Sequence, residues 1–343
     1  MPWQHESGIL FRDIPDGQSE AYQCSQCGTF AGLHNIDGTC PILQQATGVR
    51  RPAQQRQPRP QTNPGELVTS RRFGVEIELI HLNTEAFKND MGRYAIPYIP
   101  TQRSGSTTGT PTSWQLKHDG SVHGMGLELI SPPLSGVKGL AEVKLVTELA
   151  KANGGRVDDS CGLHVHHSAS DLTDAHLKNL LVLWYKYQDL AFGVANASRQ
   201  NNRYCNKLSE QEFQSLHGMT RGFGAALRGM ERYKGLNFAS LNVHNTIEFR
   251  LLEGTLNVRK IEAWIALTQR IIRVARYSGS IDPSKVGAQF QLLGAVTKML
   301  SRNGYQASEE ESEAFNLLSS YYHKNMRANR PARRRTRREN LGE

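Results

Sequence analysis

Three short apolar runs in this chain carry a polar side chain at every second position. The runs are FGVEIELI at 73–80, CGLHVHHS at 161–168 and TIEFRLLEG at 246–254. The polar pairs are Glu76 with Glu78, His164 with His166, and Glu248 with Arg250. Because alternate side chains of an extended strand share a face, each pair should point to one side of a sheet. The residues expected to face a core on the other side are Val75, Ile77, Leu79, Leu163, Val165, Ile247, Phe249 and Leu251.

Such a sheet would have one packed face and one face crowded with carboxylates. Glu128, in the run GLELISP, adds a further carboxylate if its strand joins the others. Carboxylates that share a dry site either take up protons or bind cations, and oxygen ligands with one histidine suit Mg²⁺ or Mn²⁺ at a nucleotide. The planar fork of Arg250 suits a phosphate or acyl oxygen. The run WQLKHDGS supplies Lys117 and Asp119 as further charged candidates.

Several of these runs resemble those of known enzymes. CGLHVHHS resembles the Gly-Met-His-x-His-x-Ser strand of glutamine synthetases, IEFR resembles their Ile-Glu-x-Arg strand, and EIE resembles their first metal-binding Glu-x-Glu. The spacing is too compact for glutamine synthetase itself. The set FGVEIEL, KHDGS, LELISPPLSG, CGLHVHH and RQNNRYC instead resembles the amidoligase family, a branch of the glutamine synthetase-like carboxylate-amine ligases. This resemblance covers roughly residues 70–280.

The resemblance implies an α+β fold, with a glutamine synthetase-like funnel formed by an antiparallel sheet and flanking helices. It also implies ligands for Mg²⁺ or Mn²⁺ midway along that funnel, namely Glu76, Glu78, Glu128, His164 and Glu248. Arg250 would bind the phosphoryl group transferred from ATP. Lys117, Arg199 or Arg203 would bind phosphate or the carboxylate substrate, and Lys117, Asp119, Arg203 and Arg250 are the catalytic candidates.

The chemistry implied by the resemblance is ATP-dependent formation of an amide or isopeptide bond. The γ-phosphoryl group would pass to a substrate carboxylate, and an amine would then attack the acyl phosphate. The ammonia-binding elements of glutamine synthetase have no visible counterpart, so we expect a larger amine, such as one on a peptide or protein. The chain lacks a GxxxxGK[ST] run, which excludes a P-loop as the alternative nucleotide site.

Each run by itself has a simpler interpretation. A Glu-x-Glu pair on a strand is usually a solvated sheet face, and the HxHH run alone would more often mark surface histidines or a zinc site. Glu248 and Arg250 could form a salt-bridged surface stripe. Cys205 lacks a recognisable base, so we assign it no catalytic role. The joint occurrence of these runs on separate alternating strands favours a common site.

The N-terminal segment has the residue types of a small metal site. Cys24, Cys27, His34 and Cys40 follow the spacing C-x2-C-x6-H-x5-C, which resembles a loosened zinc knuckle. So short a segment could not form a core unaided, and Zn²⁺ would supply its fold. Two interpretations stay open here, a zinc-binding docking module and unpaired thiols.

The surplus of positive charge is concentrated at the C-terminal end. The chain has a net charge of +9, and residues 324–343 carry eight Lys or Arg and two Glu. This tail has little apolar surface to bury, so we expect disorder. It could tether nucleic acid or an acidic partner, or it could be a solvated end. We find no signal peptide and no apolar run that could cross a membrane, and we expect a cytoplasmic protein without membrane contact.

The rest of the chain alternates predicted strands and helices. Predicted strands cover 72–80, 114–118, 126–131, 161–167, 238–243 and 246–252. Predicted helices cover 136–152, 173–192, a segment that starts at Ser209, 258–277, 284–302 and 309–324, and 101–112 is a mobile loop. The predicted organisation is a zinc-knuckle-like module at 1–47, a disordered linker at 48–68, a catalytic domain at 69–280, C-terminal helices at 281–323 and a basic tail at 324–343.

Three functions are compatible with this organisation. The leading one is the ATP-dependent ligase. The second is a nucleic-acid-binding protein that uses the Cys/His module and the Arg-rich tail, with the sheet domain as a scaffold. The third is a related phosphotransferase that keeps the metal site but has no amine acceptor.

Overall fold

One mixed sheet lies at the centre of the protein. The computed structural model describes residues 68–102, 110–124, 126–286 and 308–328. Within these ranges the strands are β1 (Phe73–Leu79), β2 (Tyr98–Gln102), β3 (Trp114–His118), β4 (Leu127–Ile130), β5 (Gly162–Ser168), β6 (Leu236–Asn237) and β7 (Thr246–Glu253). Their order across the sheet is β2-β3-β4-β1-β5-β7-β6. All neighbouring pairs are antiparallel except β2 with β3, which confirms a mainly antiparallel α+β fold.

The described residues form eight α-helices. They are α1 (Thr84–Arg93), α2 (Gly136–Ala152), α3 (Asp174–Val194), α4 (Glu210–His217), α5 (Phe223–Arg228), α6 (Ser240–Val243), α7 (Val258–Tyr277) and α8 (Glu309–Ala328). Short 3-10 helices cover Ala197–Arg199 and Pro283–Lys285. Among the helices that the structure describes, none combines the length and the apolar character needed to span a bilayer.

The apolar face of the sheet forms the core, as the alternation predicts. Val75, Ile77, Leu163, Val165, Ile247, Phe249 and Leu251 are all buried, with at most 1% of each residue exposed. Helix α3 covers this face, since the Trp184 ring contacts the Phe249 ring edge-on at 5.6 Å between centroids. Helix α7 packs on α2 and α3, and α8 packs on α3 and α7. Helix α3 therefore lies against the apolar face, with α2, α7 and α8 packed in the same layer of helices.

Side-chain caps fix where several helices begin. The Ser209 hydroxyl accepts from the Glu212 amide, and the Glu212 carboxylate accepts from the Ser209 amide, which confirms the predicted capping box of α4. Asn257 caps α7 by accepting from the amide of Lys260. Each such cap typically stabilises a helix by about 1 kcal/mol. The predicted bounds of α2 and α7 are confirmed. The Asn257 cap fixes the start of α7, whereas Ser135 at the start of α2 makes no side-chain cap hydrogen bond.

The prediction of a strand at 238–243 is wrong. The structure places a two-residue strand at Leu236–Asn237 and then the short helix Ser240–Val243. Helix α1 and strand β2 were not predicted, and β2 includes residues 101–102, where a mobile loop at 101–112 was predicted. Helix α8 continues to Ala328, past the predicted end at 324. The Cys/His module at 1–47, most of the linker, much of the predicted helix at 284–302 and the tail beyond 328 lie outside the described residues.

Close packing joins the ends of β5 and β7 at Gly254. Its amide donates to the Cys161 carbonyl at 2.7 Å. A Cβ atom on residue 254 would lie 2.3 Å from Cys161 Cβ and 3.0 Å from the Cys161 carbonyl carbon. These are backbone-level contacts that cannot move without shifting a strand end. Glycine is therefore required at this position by space.

We predict that Gly254→Ala lowers the free energy of unfolding by about 1–3 kcal/mol, because the added methyl group overpacks the strand junction. Urea unfolding followed by circular dichroism measures this change. The matched control is Gly92→Ala in α1, where no atom lies within 4 Å of the position that the new Cβ would take and no destabilisation is expected. Equal stability of the two variants would contradict the packing described for Gly254.

Candidate active site

The polar face of β1, β5 and β7 brings carboxylates and imidazoles into direct contact. His164 Nδ1 lies 3.0 Å from Glu76 Oε2, and His164 Nε2 lies 3.4 Å from Glu78 Oε1. His166 Nε2 lies 3.3 Å from Glu76 Oε1 and 3.7 Å from Glu248 Oε1. We call this group, together with Glu128, the carboxylate–histidine cluster. Its members are Glu76, Glu78, Glu128, His164, His166 and Glu248.

Strand register explains why these side chains meet. Glu76 of β1 pairs with His164 of β5. His166 of β5 pairs with Glu248 of β7. Directly opposed residues of antiparallel strands have Cβ atoms about 4.5–5.5 Å apart, so their side chains meet on the same face. A slip of one residue in any of these pairs would turn the polar groups into the core.

Strands β3 and β4 extend the cluster to one side. Glu78 pairs with Glu128 across β1 and β4, and Glu128 pairs with Lys117 across β4 and β3. Asp119 follows β3, and its Oδ1 accepts from both the amide and the hydroxyl of Ser121 at 2.7 Å. These turn contacts hold the Asp119 carboxylate beside Glu78 and Glu128.

Three groups formed by the cluster and the neighbouring Asp119 have the ligand types and spacing to hold a cation. They are Glu76 with Glu128 and His164, Glu76 with His166 and Glu248, and Glu78 with Asp119 and Glu128. Within each group the ligand atoms lie within 4.8 Å of one another. Hard oxygen donors with one imidazole fit Mg²⁺ or Mn²⁺. The residues present therefore fit the divalent metal that the family resemblance implies.

The charges in the cluster are only partly compensated by the protein. Burial and the nearby charges of Glu76, Glu78 and Asp119 raise the pKa of Glu128 well above its ordinary value. Burial would also raise the pKa of Glu76, but His166 and His164 hold that pKa well below the ordinary range. The charged form of Glu128 is therefore disfavoured in the metal-free protein, and a bound cation would stabilise it.

His166 belongs to the cluster but was not among the predicted metal ligands. The sequence did predict that it shares a sheet face with His164. His166 Nδ1 lies 2.9 Å from Thr246 Oγ1, and Ser240 Oγ lies 2.6 Å from that same threonine oxygen. Burial lowers the pKa of His166, but Glu248 and Glu76 outweigh burial and raise it. The Thr246 contact orients the ring so that Nε2 lies between the two carboxylates. The HxH alternation was the signal that could have identified it.

Arg250 lies beside the cluster on β7. Its guanidinium donates to Glu248 Oε1, and its Nε donates to the Tyr204 carbonyl at 3.4 Å. The other Glu248 oxygen accepts from Asn237 Nδ2 at 2.6 Å. Burial lowers the pKa of Arg250, but Glu248 and Glu76 raise it above the ordinary value, so the guanidinium stays charged. A planar cation is therefore fixed next to the predicted metal ligands.

Arg199 borders the same site near the start of β5. Its Nε donates to the Leu251 carbonyl at 3.1 Å, and its Nη2 donates to the Arg250 carbonyl at 2.8 Å. A Cβ atom on Gly162 would lie 3.1 Å from both Arg199 Nη2 and His164 Nε2. The Gly162 amide itself donates to Glu78 Oε2 at 2.5 Å. The absence of a side chain at Gly162 therefore lets Arg199 approach the cluster.

Some of the residues singled out in the sequence lie at the edge of the carboxylate–histidine cluster or away from it. Arg203 is exposed, and its guanidinium donates to the Tyr204 hydroxyl at 2.6 Å and stacks on that ring. Lys117 is partly buried opposite Glu128. Burial raises the pKa of Cys205, which keeps it a buried thiol and agrees with its having no assigned role. Roles for Lys117, Asp119 and Arg203 stay predictions.

Comparison with known proteins identifies a family over most of the sheet domain. A family model described as "Putative amidoligase enzyme" matches residues 69–272. A search of curated protein sequences finds no match.

Solved structures also match the fold, with low sequence identity. One is a bifunctional glutathione synthetase from Pasteurella multocida, with 12% identity and a TM-score of 0.38, covering 74% of this chain and 47% of that one. Another is the complex between the prokaryotic ubiquitin-like protein Pup and its ligase PafA, with 9% identity and a TM-score of 0.37, covering 76% and 64%. A third is an ADP complex of GmaS, with 14% identity and a TM-score of 0.34, covering 76% and 69%. The chain thus spans about half to two thirds of the length of the first two.

We predict that Glu76→Gln weakens Mn²⁺ binding by about tenfold or more, because Glu76 belongs to two of the three ligand groups. Electron paramagnetic resonance of free Mn²⁺ during a titration measures the affinity. Glu85→Gln, which changes an exposed carboxylate of α1, is the control and should leave Mn²⁺ binding unchanged. Wild-type affinity in Glu76→Gln would mean that the cluster is not the metal site.

A second prediction concerns stability without metal. The raised pKa of Glu128 in the folded protein means that its charged form opposes folding, so stability is lost as pH rises through the folded pKa. Glu128→Gln should therefore stabilise the metal-free protein at neutral pH, by about 1 kcal/mol. The gain should shrink as pH falls below the ordinary carboxyl pKa. Thermal unfolding in a chelator at several pH values tests this, and a destabilised variant at neutral pH would refute it.

Proposed function

This chain belongs to the putative amidoligase enzyme family, and from that premise we propose how its site forms an amide bond. We propose that it is an ATP-dependent ligase that joins carbon to nitrogen, and the family match supports this. We propose that the reaction passes through an acyl phosphate at the carboxylate–histidine cluster. The observation that carries this proposal is the convergence of Glu76, Glu248 and His164 beside the fixed guanidinium of Arg250.

The residues of the cluster and Arg250 have two different electrostatic roles. Glu76, Glu78, Glu128, His164 and Glu248, with His166, would hold divalent cations. Such cations, when bound, would neutralise charge on the phosphate oxygens of ATP. Arg250 would hold the equatorial oxygens of the transferred phosphoryl group with its planar fork. Because Arg250 is buried, its charge acts at low dielectric and needs no reorganisation during transfer.

The bond changes balance in two steps. A substrate carboxylate oxygen attacks the γ-phosphorus, the bond from that phosphorus to its bridging oxygen breaks, and ADP leaves. The amine nitrogen then attacks the acyl carbon, and phosphate leaves as the amide forms and the nitrogen loses a proton. Arg199 and Lys117 would hold phosphate or the carboxylate in place during these steps. Asp119 and Arg203 complete the proposed set of charged groups.

We propose a carboxylate and an amine on a peptide or protein as the substrates, in the cytoplasm. The support is that no counterpart of the ammonia-binding elements of glutamine synthetase is visible in the sequence. The alternative of a nucleic-acid-binding protein depends on residues 24–40 and on the tail, most of which lie outside the described ranges. Zinc at Cys24, Cys27, His34 and Cys40 stays a prediction for the same reason.

The experiment that tests the function is release of ADP and phosphate by purified protein given ATP, Mg²⁺ and mixtures of candidate carboxylates and amines. Mass spectrometry then identifies a product whose mass is that of both substrates less one water. Product formation without ADP would contradict the proposed mechanism. ADP release with no condensed product in any mixture would favour the phosphotransferase interpretation.

We predict that Arg250→Lys lowers kcat by on the order of a hundredfold while ATP binding changes little, because lysine keeps the charge but loses the bidentate fork. Steady-state kinetics with a separate ATP titration measures both quantities. Arg93→Lys, on the exposed end of α1, is the matched control. A variant that binds ATP far more weakly but reaches the normal kcat would place Arg250 in ground-state binding instead.

A further inference from the structure

The C-terminal helix α8 lies outside the family-matched segment but is packed tightly on the catalytic domain. The family match ends at residue 272, and α8 covers Glu309–Ala328. Near its start, Glu311 forms an ion pair with Arg270 of α7, and the two side chains are 0% and 2% exposed. Phe315 and Leu318 of α8 are buried in the same core as the sheet. The helix is therefore anchored, and its far end has a defined position.

The C-terminal end of α8 contacts the C-terminal end of α3. Asn325 Nδ2 donates to the carbonyls of Gly193, Val194 and Ala195, at 3.2, 3.0 and 2.9 Å. The last carbonyls of a helix have no partner within the helix, so Asn325 supplies a donor that they lack. The Tyr322 ring lies where a side chain of residue 193 would be, 2.5 Å from the position of a Cβ atom there. Only glycine at position 193 permits this contact.

A second contact from α8 reaches the end of β7. Lys260 Nζ lies 4.0 Å from the centre of the Tyr321 ring. The same ammonium forms a buried ion pair with Glu253, the last residue of β7. The second oxygen of Glu253 accepts from the Asn196 amide at 3.1 Å. Tyr321 thus supports, through Lys260 and Glu253, the residue that follows the segment held by Asn325.

Both contacts converge on residues 193–196, which lead directly into the 3-10 helix Ala197–Arg199. Arg199 has 2% of its surface exposed, and its guanidinium borders the cluster at Gly162. Its two donors hold the carbonyls of Arg250 and Leu251, so a shift of Arg199 would also disturb the strand that carries Arg250. Misplacement of a catalytic group by about 1 Å can lower a rate by about a hundredfold.

We propose that Tyr321, Tyr322 and Asn325 of α8 are positioning residues, which hold Arg199 in place beside the carboxylate–histidine cluster. The helix beyond the family-matched segment is then part of the catalytic unit. The expected effect on turnover, the kinetic half of this inference, rests on the proposed function. The structural half is that α8 holds Arg199 in place, and it does not depend on that function. The two halves are tested by separate measurements.

The kinetic test is a double-variant cycle. Asn325→Ala removes the donor to the three carbonyls and should lower kcat for ATP turnover by about tenfold or more, with a smaller change in KM. Arg199→Lys should lower kcat as well, and the double variant should lose no more than Arg199→Lys alone, since both act through one side chain. Losses that multiply in the double variant would show a general structural role and overturn the proposal.

The neighbouring variants sharpen this test. Tyr321→Phe keeps the ring under Lys260 and should retain turnover, whereas Tyr321→Leu removes the ring and should lower it. Met326→Ala changes an exposed residue next to Asn325 and is the control that should behave as wild type. Equal turnover of Tyr321→Leu and Tyr321→Phe would contradict the proposed path through Lys260.

Hydrogen exchange tests the structural half without any activity. Asn325→Ala should raise amide exchange by about tenfold in the segment 196–200, while the amides of β5 and β7 stay protected as in wild type. Met326→Ala should leave the whole pattern unchanged. Unchanged exchange at 196–200 in Asn325→Ala would overturn the proposal even if wild type is an active ligase. The expected exchange in a protein without ATP turnover would uphold the positioning of Arg199 and reject only the function.

Discussion

Repulsion among carboxylates is the constraint around which the rest of this structure is arranged. Glu76, Glu78, Glu128 and Glu248 share one face of a sheet, and three of the four sit within contact distance of an imidazole or guanidinium. The protein compensates the charge near His166 and leaves the side near Glu128 undercompensated, as the opposite pKa shifts of Glu76 and Glu128 indicate. A bound cation would stabilise the charged form of Glu128, which the protein alone disfavours.

The sheet register and the outer helices hold this charged face together. Antiparallel pairing places Glu76 opposite His164. A one-residue shift of β1 against β5 would turn these charged side chains toward the helices on the apolar face, and the cost of burying them there opposes the shift. Arg199 enters from a 3-10 helix outside the sheet, and its donors link that helix to the backbone of β7. Helix α8 supports the same segment from further along the chain. Positioning in this site therefore depends on residues far from the chemistry in sequence.

The sequence predicted the parts of the structure that follow from local periodicity. Strict alternation located β1, β5 and β7 and the face that carries Glu76 and Glu248, because the period of a strand is independent of its neighbours. It failed at 238–243, where a two-residue strand and a single helical turn depend on tertiary contacts. His166 was on the predicted face, but its role depends on Thr246, which only the fold brings near. The contact of Arg199 with the cluster depends likewise on the missing side chain of Gly162.

The most direct test of the central claim is anomalous diffraction from crystals grown with Mn²⁺ and a non-hydrolysable ATP analogue. The account predicts manganese peaks among Glu76, Glu128, His164 and Glu248, with the terminal phosphate of the analogue against the Arg250 guanidinium. Manganese or the phosphates bound elsewhere on the chain, with the cluster free of both, would contradict it.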